Sequence, residues 1–303
     1  MELLRTDDPA VARQQLAERG ACVLCGLRPE AESTVEASLA IWGRDDLLSA
    51  PPVAEVSMAV NQPPHEPTGV PTWYSGVSRE PPHPTERYDG SPGKTPPRAH
   101  SELLEPHSDG YAYGDAYPDA IVLLCAQDCE EGGETFIVDG YGVLETLESS
   151  PEHSWVVDAL ASREVCQGEA GRRSSVSSVA QRAPSGRTML RNMLWVQRPN
   201  EENSPEEQRL DAEMLDAWHS AVMAAPRSHV KLAPGEALVI DNYRCFHGRT
   251  PFGKGAEGRQ LWRQWVWTTD AKAVPVHDGE AGANTSNPWT ITPEDAEEQV
   301  ANL

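Results

Sequence analysis

Apolar residues in this chain come in short runs, and Gly, Pro or charged residues break almost every one. Residues 120–125 are wholly apolar, which fits a strand buried on both faces. Residues 135–138 alternate and end at Asp139-Gly140. Residues 230–232 and 236–241 flank a Pro234-Gly235 turn, and Gln260–Thr268 is a strand with three Trp. Residues 21–25 and 188–196 also read as strands. Helical spacing is rarer. Residues 8–19 form a first helix with Pro9 in its first turn and Gly20 as its stop, and residues 30–42 form a second ended by Gly43. Residues 142–147 and 155–161 are short helical stretches. Ser204-Pro205-Glu206-Glu207 is a helix start with a capping-box pattern. From it runs a helix with Leu210, Met214, Leu215, Trp218 and Val222 on one face, ending near Pro226. His219 lies off that stripe and reads as a solvated helix residue.

Many short strands, Gly/Pro turns and few helices predict a mainly β protein with flanking helices. The expected core is a double-stranded β-helix, a cupin-like jelly roll. Residues 51–100 hold twelve Pro, too many for regular helix or central strand. They read as a coil over the core, with short edge strands such as 52–60 and with Trp73, Tyr74 and Tyr88 pinning it or lining a pocket. Residues 168–187, rich in Ser, Arg and Gly, read as a mobile loop that could act as a lid. The tail is acidic, with a last helix at 292–300. No low-complexity linker divides the chain, so residues 1–303 are read as a single domain. Its parts are a helix-strand-helix opening (1–50), the Pro-rich coil (51–100), the core (101–268) and the tail (269–303).

The formal net charge of −22 argues against nucleic acid and anionic membrane as partners. The six Cys lack zinc-site spacing, so reduced thiols and a reducing compartment are expected. No apolar stretch approaches a membrane span and no signal-peptide core is evident. A soluble, cytoplasmic protein acting on a small molecule follows, and a homo-oligomer is not excluded.

The chemistry centres on residues 106–140. His107 and Asp109 are two apart, so on a strand they point the same way. His247 closes the run Asp241-Asn-Tyr-Arg-Cys-Phe-His-Gly-Arg249. Two His and one carboxylate with open positions is the facial triad of non-haem Fe(II) oxygenases. Gly132-Gly133-Glu134-Thr135 makes a turn after the first motif. Arg259 and Arg263 follow His247, four apart and so on one strand face. The other His residues lack metal-like spacing.

Together these motifs resemble the taurine dioxygenase-like family of Fe(II)/2-oxoglutarate oxygenases over roughly residues 100–268. Residues 133–147 and 241–249 most resemble its γ-butyrobetaine and trimethyllysine hydroxylase branch. The branch's amino-terminal Cys/His zinc module is missing, and residues 51–100 align with nothing in it. The resemblance implies His107, Asp109 and His247 as iron ligands and catalytic centre. It implies Arg259 and Thr135 on the distal carboxylate of 2-oxoglutarate, and Arg263 near cosubstrate and substrate, with an ion pair to an Asp or Glu as the alternative. Dioxygen is the third reactant. A carboxylate at Asp109 fills the place that halogenating relatives leave to chloride. The implied reaction is hydroxylation of a small, polar, amino-acid-like metabolite at an unactivated C–H, with 2-oxoglutarate going to succinate. Desaturation, cyclisation or C–X cleavage is the alternative outcome, and a metal-dependent lyase or isomerase a more distant one. Tyr111, Tyr113, Asn192, Trp73 and Tyr74 are the candidate substrate residues, with Arg191 beside them.

Overall fold

A computed structural model describes residues 3–49, 54–57, 103–167, 176–251 and 259–274. The opening holds β1 (Arg5–Thr6), α1 (Pro9–Arg19), β2 (Ala21–Leu24), α2 (Glu32–Trp42) and β3 (Leu47–Ser49). Then come β4 (Ala54–Ser57), β5 (Leu104–His107), a 3-10 helix (Tyr111–Ala116), β6 (Ala120–Gln127) and β7 (Thr135–Asp139). Next are α3 (Gly140–Glu148), α4 (Ser154–Ser162), β8 (Glu164–Gln167), β9 (Val176–Ser178), β10 (Ala180–Arg182), β11 (Thr188–Leu190) and β12 (Gln197–Arg198). The chain continues with α5 (Pro205–Ala224), β13 (Ser228–Val230), β14 (Ala237–Asp241), β15 (Cys245–Arg249) and β16 (Gln260–Thr268).

Two sheets face one another. The larger runs β1-β2-β14-β6-β16-β3, with β4 also on β16, and the smaller runs β13-β7-β15-β5. Residue parity assigns each side chain to a layer. In β6, Ile121, Leu123 and Cys125 enter the core between the sheets, where they meet Ile137 and Cys245 of the smaller sheet and Leu238, Ile240, Trp265 and Trp267 of their own. Ala120, Val122 and Leu124 face the other way, onto Ala12 and Leu16 of α1 and Ala37 and Ile41 of α2. On the far side, Phe136, Val138 and Phe246 pack on residues of α3, α4 and α5, including Val143, Leu160 and Trp218. Helix, sheet, sheet, helix is thus the layer order, and the sheet pair is the expected jelly-roll core.

Helix ends follow their sequence signals. Asp8 caps α1 by accepting from the Ala10 N–H at 2.8 Å, and Gly20 closes it at φ 78°. At α5, Glu207 Oε2 accepts from the Ser204 N–H at 2.9 Å, and the Ser204 hydroxyl accepts from the Glu207 N–H, so the capping box forms.

Several readings need correction. The expected loop over 168–187 contains β9, paired with β8, and β10, paired with β11; Val179 between them is fully buried. Its Ser and Arg content hid two strands that exist only through their partners. The strand expected over 188–196 stops at Leu190, because Arg191 and Asn192 turn inward to bond the metal-site strand and its neighbours. The strand read at 230–232 is Ser228–Val230, and the second helix begins at Glu32. Trp73, Tyr74, Tyr88, most of the 51–100 coil and the helix read at 292–300 lie outside the described residues.

His219 is not solvated. It is buried in α5, with Nε2 2.9 Å from the Gln197 side-chain oxygen. Burial pushes its pKa from 6.5 down to about 4. The unfolded chain therefore takes up a proton near pH 6.5 that the folded chain refuses until about pH 4. Stability is fully present above pH 6.5 and falls as pH drops through that window. At about 1.36 kcal/mol per pH unit, the loss should reach about 2 kcal/mol by pH 5. Urea unfolding at pH 7 and pH 5 measures it, and the difference should shrink in a His219→Gln protein.

Candidate active site

The site lies between the two sheets. His107 ends β5 and pairs in register with His247 of β15. Cys245 points into the core, so by parity His247 and Arg249 do too. Gly248 takes the outward place between them. A Cβ there would meet the Phe136 ring at 2.3 Å and the Leu104 carbonyl at 2.4 Å, so only glycine lets β15 pack this closely.

Asp109 sits on the turn after β5. Its N–H donates to Asn242 Oδ1 at 3.0 Å, and Asn242 Nδ2 donates back to the Asp109 carbonyl at 3.0 Å and to Pro118 at 2.7 Å. Gly110 follows at φ 85°, where a Cβ would strike Pro118 Cδ at 2.3 Å. The next residues form the 3-10 helix, held by Arg191 through Gly114 O at 2.8 Å and Asp115 Oδ1 at 2.9 Å.

The donors His107, Asp109 and His247 are all buried, and their ligand atoms lie within 4.8 Å of one another. Asp109 Oδ1 is 3.5 Å from His107 Nε2 and 3.8 Å from His247 Nε2. The imidazole centroids are 4.4 Å apart, close enough to share one ion. His107 Nδ1 is 2.9 Å from the Glu105 carbonyl, which requires the proton there and leaves the Nε2 lone pair facing the site. Burial first, then the charge of His107, holds His247 down to about 3, so its ring stays neutral. Burial works to raise the Asp109 pKa, but the Arg263 charge beside it, with the facing imidazoles, outweighs burial and holds the carboxyl well below its usual range. Two imidazole Nε2 atoms and a carboxylate oxygen facing one another are a donor set that fits a divalent metal.

Asp109 uses its second oxygen differently. Oδ2 accepts from Arg263 Nη1 at 2.9 Å and from Trp265 Nε1 at 2.7 Å. Arg263 therefore has the carboxylate ion pair that was its alternative reading, and that carboxylate is Asp109.

Two buried cations follow the triad, one on β15 and one just before β16. Arg259 and Arg249 are buried, and Arg249 pairs in register with the buried Thr135. Burial, then the charge of Arg259, pushes Arg249 down to about 10, and burial lowers Arg259 likewise. An entering carboxylate would relieve both. Arg249 was not singled out from the sequence, although its spacing of two from His247 was the signal. Asn242 and Trp265 were also missed.

Asn192 Nδ2 donates to the Pro106 carbonyl at 2.5 Å, and its own carbonyl accepts from the Ser108 N–H at 2.8 Å. It splints the strand that carries His107. Its Oδ1 is buried with no partner among the described residues. Arg191 is engaged by Ser177, Gly114 and Asp115. Tyr111 and Tyr113 lie on the 3-10 helix directly after the triad turn.

A facially arranged His-Asp-His cluster inside a jelly roll defines a class of metal-dependent oxygenases. Residues 1–265 match the taurine catabolism dioxygenase TauD, TfdA family, and the chain belongs to it. It thus stands among the Fe(II)/2-oxoglutarate-dependent oxygenases, as the motifs implied. Clavaminate synthase 2 of Streptomyces clavuligerus is 38% identical over 56 residues, 18% of this chain and 17% of that protein's length. Asparagine oxygenase AsnO shares the fold with a TM-score of 0.54 and 21% identity, over 86% of this chain and 77% of the other. The non-haem iron oxygenase OrfP, solved with Fe and α-ketoglutaric acid, gives 0.53 and 15% over 86% and 78%. AsnO has also been solved with Fe(II), 2S,3S-3-hydroxyasparagine and succinate, and OrfP with Fe, succinate and (3S)-hydroxy-L-Arg. No helix among the described residues is long and apolar enough to cross a membrane.

Proposed function

We propose that this chain works as one oxygenase domain that hydroxylates a free, small, polar amino acid at an unactivated C–H. The observation that carries the reading is the buried His107-Asp109-His247 cluster, with Arg249 and Arg259 buried as well. His107, Asp109 and His247 hold Fe(II). Arg259 grips the distal carboxylate of 2-oxoglutarate through a planar fork, with Thr135 as a second donor and Arg249 adding charge. When bound, iron, 2-oxoglutarate and dioxygen supply the oxidant, and 2-oxoglutarate leaves as succinate and carbon dioxide. Arg263 keeps Asp109 ionised and oriented. The two sheets exclude water from the reacting centre.

The substrate side is the 3-10 helix that carries Tyr111 and Tyr113, with Asn192 beside the His107 strand. The hydroxylated amino acids bound to AsnO and OrfP favour an amino acid. The motif at 133–147 and 241–249 favours a betaine of the γ-butyrobetaine and trimethyllysine type as the second substrate class. Desaturation, cyclisation or cleavage would use the same residues. All six cysteines are free, which suits a cytoplasmic enzyme, and its acidic charge suits neither nucleic acid nor membrane.

Anaerobic addition of Fe(II) and 2-oxoglutarate should produce the visible metal-to-ligand charge-transfer band. Succinate release should then rise with a member of a panel of L-amino acids and betaines. Absence of the band would remove the oxygenase reading, and activity without 2-oxoglutarate would point to a lyase or isomerase. Turnover with a large lipid or a nucleic acid alone would remove the substrate class.

A further inference from the structure

We infer that Trp265 is a positioning residue for the metal-binding carboxylate, and that its indole N–H keeps Asp109 a one-oxygen ligand. The inference rests on the iron site proposed above. The indole donates to Asp109 Oδ2 at 2.7 Å, the shorter of two bonds to that oxygen, and Arg263 Nη1 supplies the other at 2.9 Å. Both donors lie on β16, and the carboxylate lies more than 150 residues earlier in sequence. Oδ1 is the oxygen that faces the two imidazole nitrogens. The oxygens of Asp109 are thus divided between two tasks.

Trp265 itself has little freedom to move. It is buried in the core between the sheets, packs edge-on against Trp267 with ring centroids 6.5 Å apart, and carries the Arg263 guanidinium over its face at 4.8 Å. Rotating the indole away from Asp109 would break the core packing and remove the surface on which Arg263 rests. Its N–H therefore acts as a fixed post, whereas a guanidinium on a long stem does not.

The division has a chemical consequence. An iron held here by His107, Asp109 and His247 would keep most room for the cosubstrates if each of these residues used one atom. A carboxylate free to turn could bind through both oxygens and take a further position. Two donors on Oδ2 set a cost against this, since a bonded oxygen must lose both hydrogen bonds to reach the metal.

Trp265→Phe keeps most of the ring and removes the donor. Anaerobic titration with Co(II), a spectroscopic stand-in for Fe(II), reads both affinity and coordination. The variant should bind Co(II) about 10- to 100-fold more weakly, with ligand-field bands altered from those of the unmodified protein. Trp265→His, which can offer a ring N–H, should recover part of the loss and serves where the Phe variant does not fold. Trp267→Phe loses an indole that donates to the Ala116 carbonyl and should bind Co(II) as the unmodified protein does. Equal affinity and equal bands in Trp265→Phe and the unmodified protein would overturn the role of Trp265 alone. Failure of the unmodified protein to bind Co(II) at all would overturn the iron site itself and this role with it.

Discussion

An Asp109→Asn protein is expected to fold, to take up no Fe(II) at micromolar concentration and to lose at least about a thousandfold in succinate release. The argument is about which atom of the amide goes where. Arg263 and Trp265 both donate to the Oδ2 position, so an amide placed there must put its oxygen towards them. Its NH2 group then faces the two Nε2 atoms, and an amide NH2 has no lone pair for a metal. Turning the amide over to offer oxygen to iron would set its N–H against two donors inside the core. Neither orientation serves both sides. Losing the metal removes several kcal/mol of transition-state stabilisation, and about 1.36 kcal/mol is tenfold in rate. The charge-transfer band with Fe(II) and 2-oxoglutarate checks the first part, and succinate release the second. A wild-type band in the variant would mean that Asp109 is not a ligand.

The three donors were legible as a motif, and the structure brings them together. His107 and His247 do lie on strands, but β5 ends at His107, and Asp109 reaches the same face from the turn before Gly110 rather than by strand parity. The layer architecture was legible too, since runs such as 120–125 can be wholly apolar only when both faces are covered. What stayed hidden depended on partners far along the chain. Asn242 clamps a residue 133 positions away, and no periodicity announces which carbonyl an amide will meet. The Trp265 indole is the same case. His219 sits beside the apolar stripe of α5, and it is the Gln197 segment folding over that face that buries it. The strands at 176–178 and 180–182 are too short to carry a pattern and exist because β8 and β11 supply the other half of each ladder. Arg249 differs from these, since parity with His247 was present in the sequence.

Arg259→Met should raise the KM for 2-oxoglutarate about a hundredfold and leave kcat at saturation within a few-fold. The guanidinium meets the cosubstrate at the carboxylate remote from the reacting carbon. Its contribution is then the same in ground state and transition state, which is the pattern of uniform binding. Hydrogen bonds to charged groups contribute about 1.5–3 kcal/mol each, and about 1.4 kcal/mol is tenfold in affinity. Arg259→Lys should fall between, because an ammonium keeps the charge and loses the fork. The neighbouring Arg249 feels the charge of Arg259. Its pKa is pushed down to about 10 by burial and by the charge of Arg259, so removing that charge relieves a repulsion between buried cations. The rise in Tm that 2-oxoglutarate gives the unmodified protein should nearly vanish, since stabilisation by a ligand follows its affinity. Succinate release against 2-oxoglutarate concentration gives the kinetic half, and melting with and without the cosubstrate gives the other. An unchanged KM would remove Arg259 from the cosubstrate pocket.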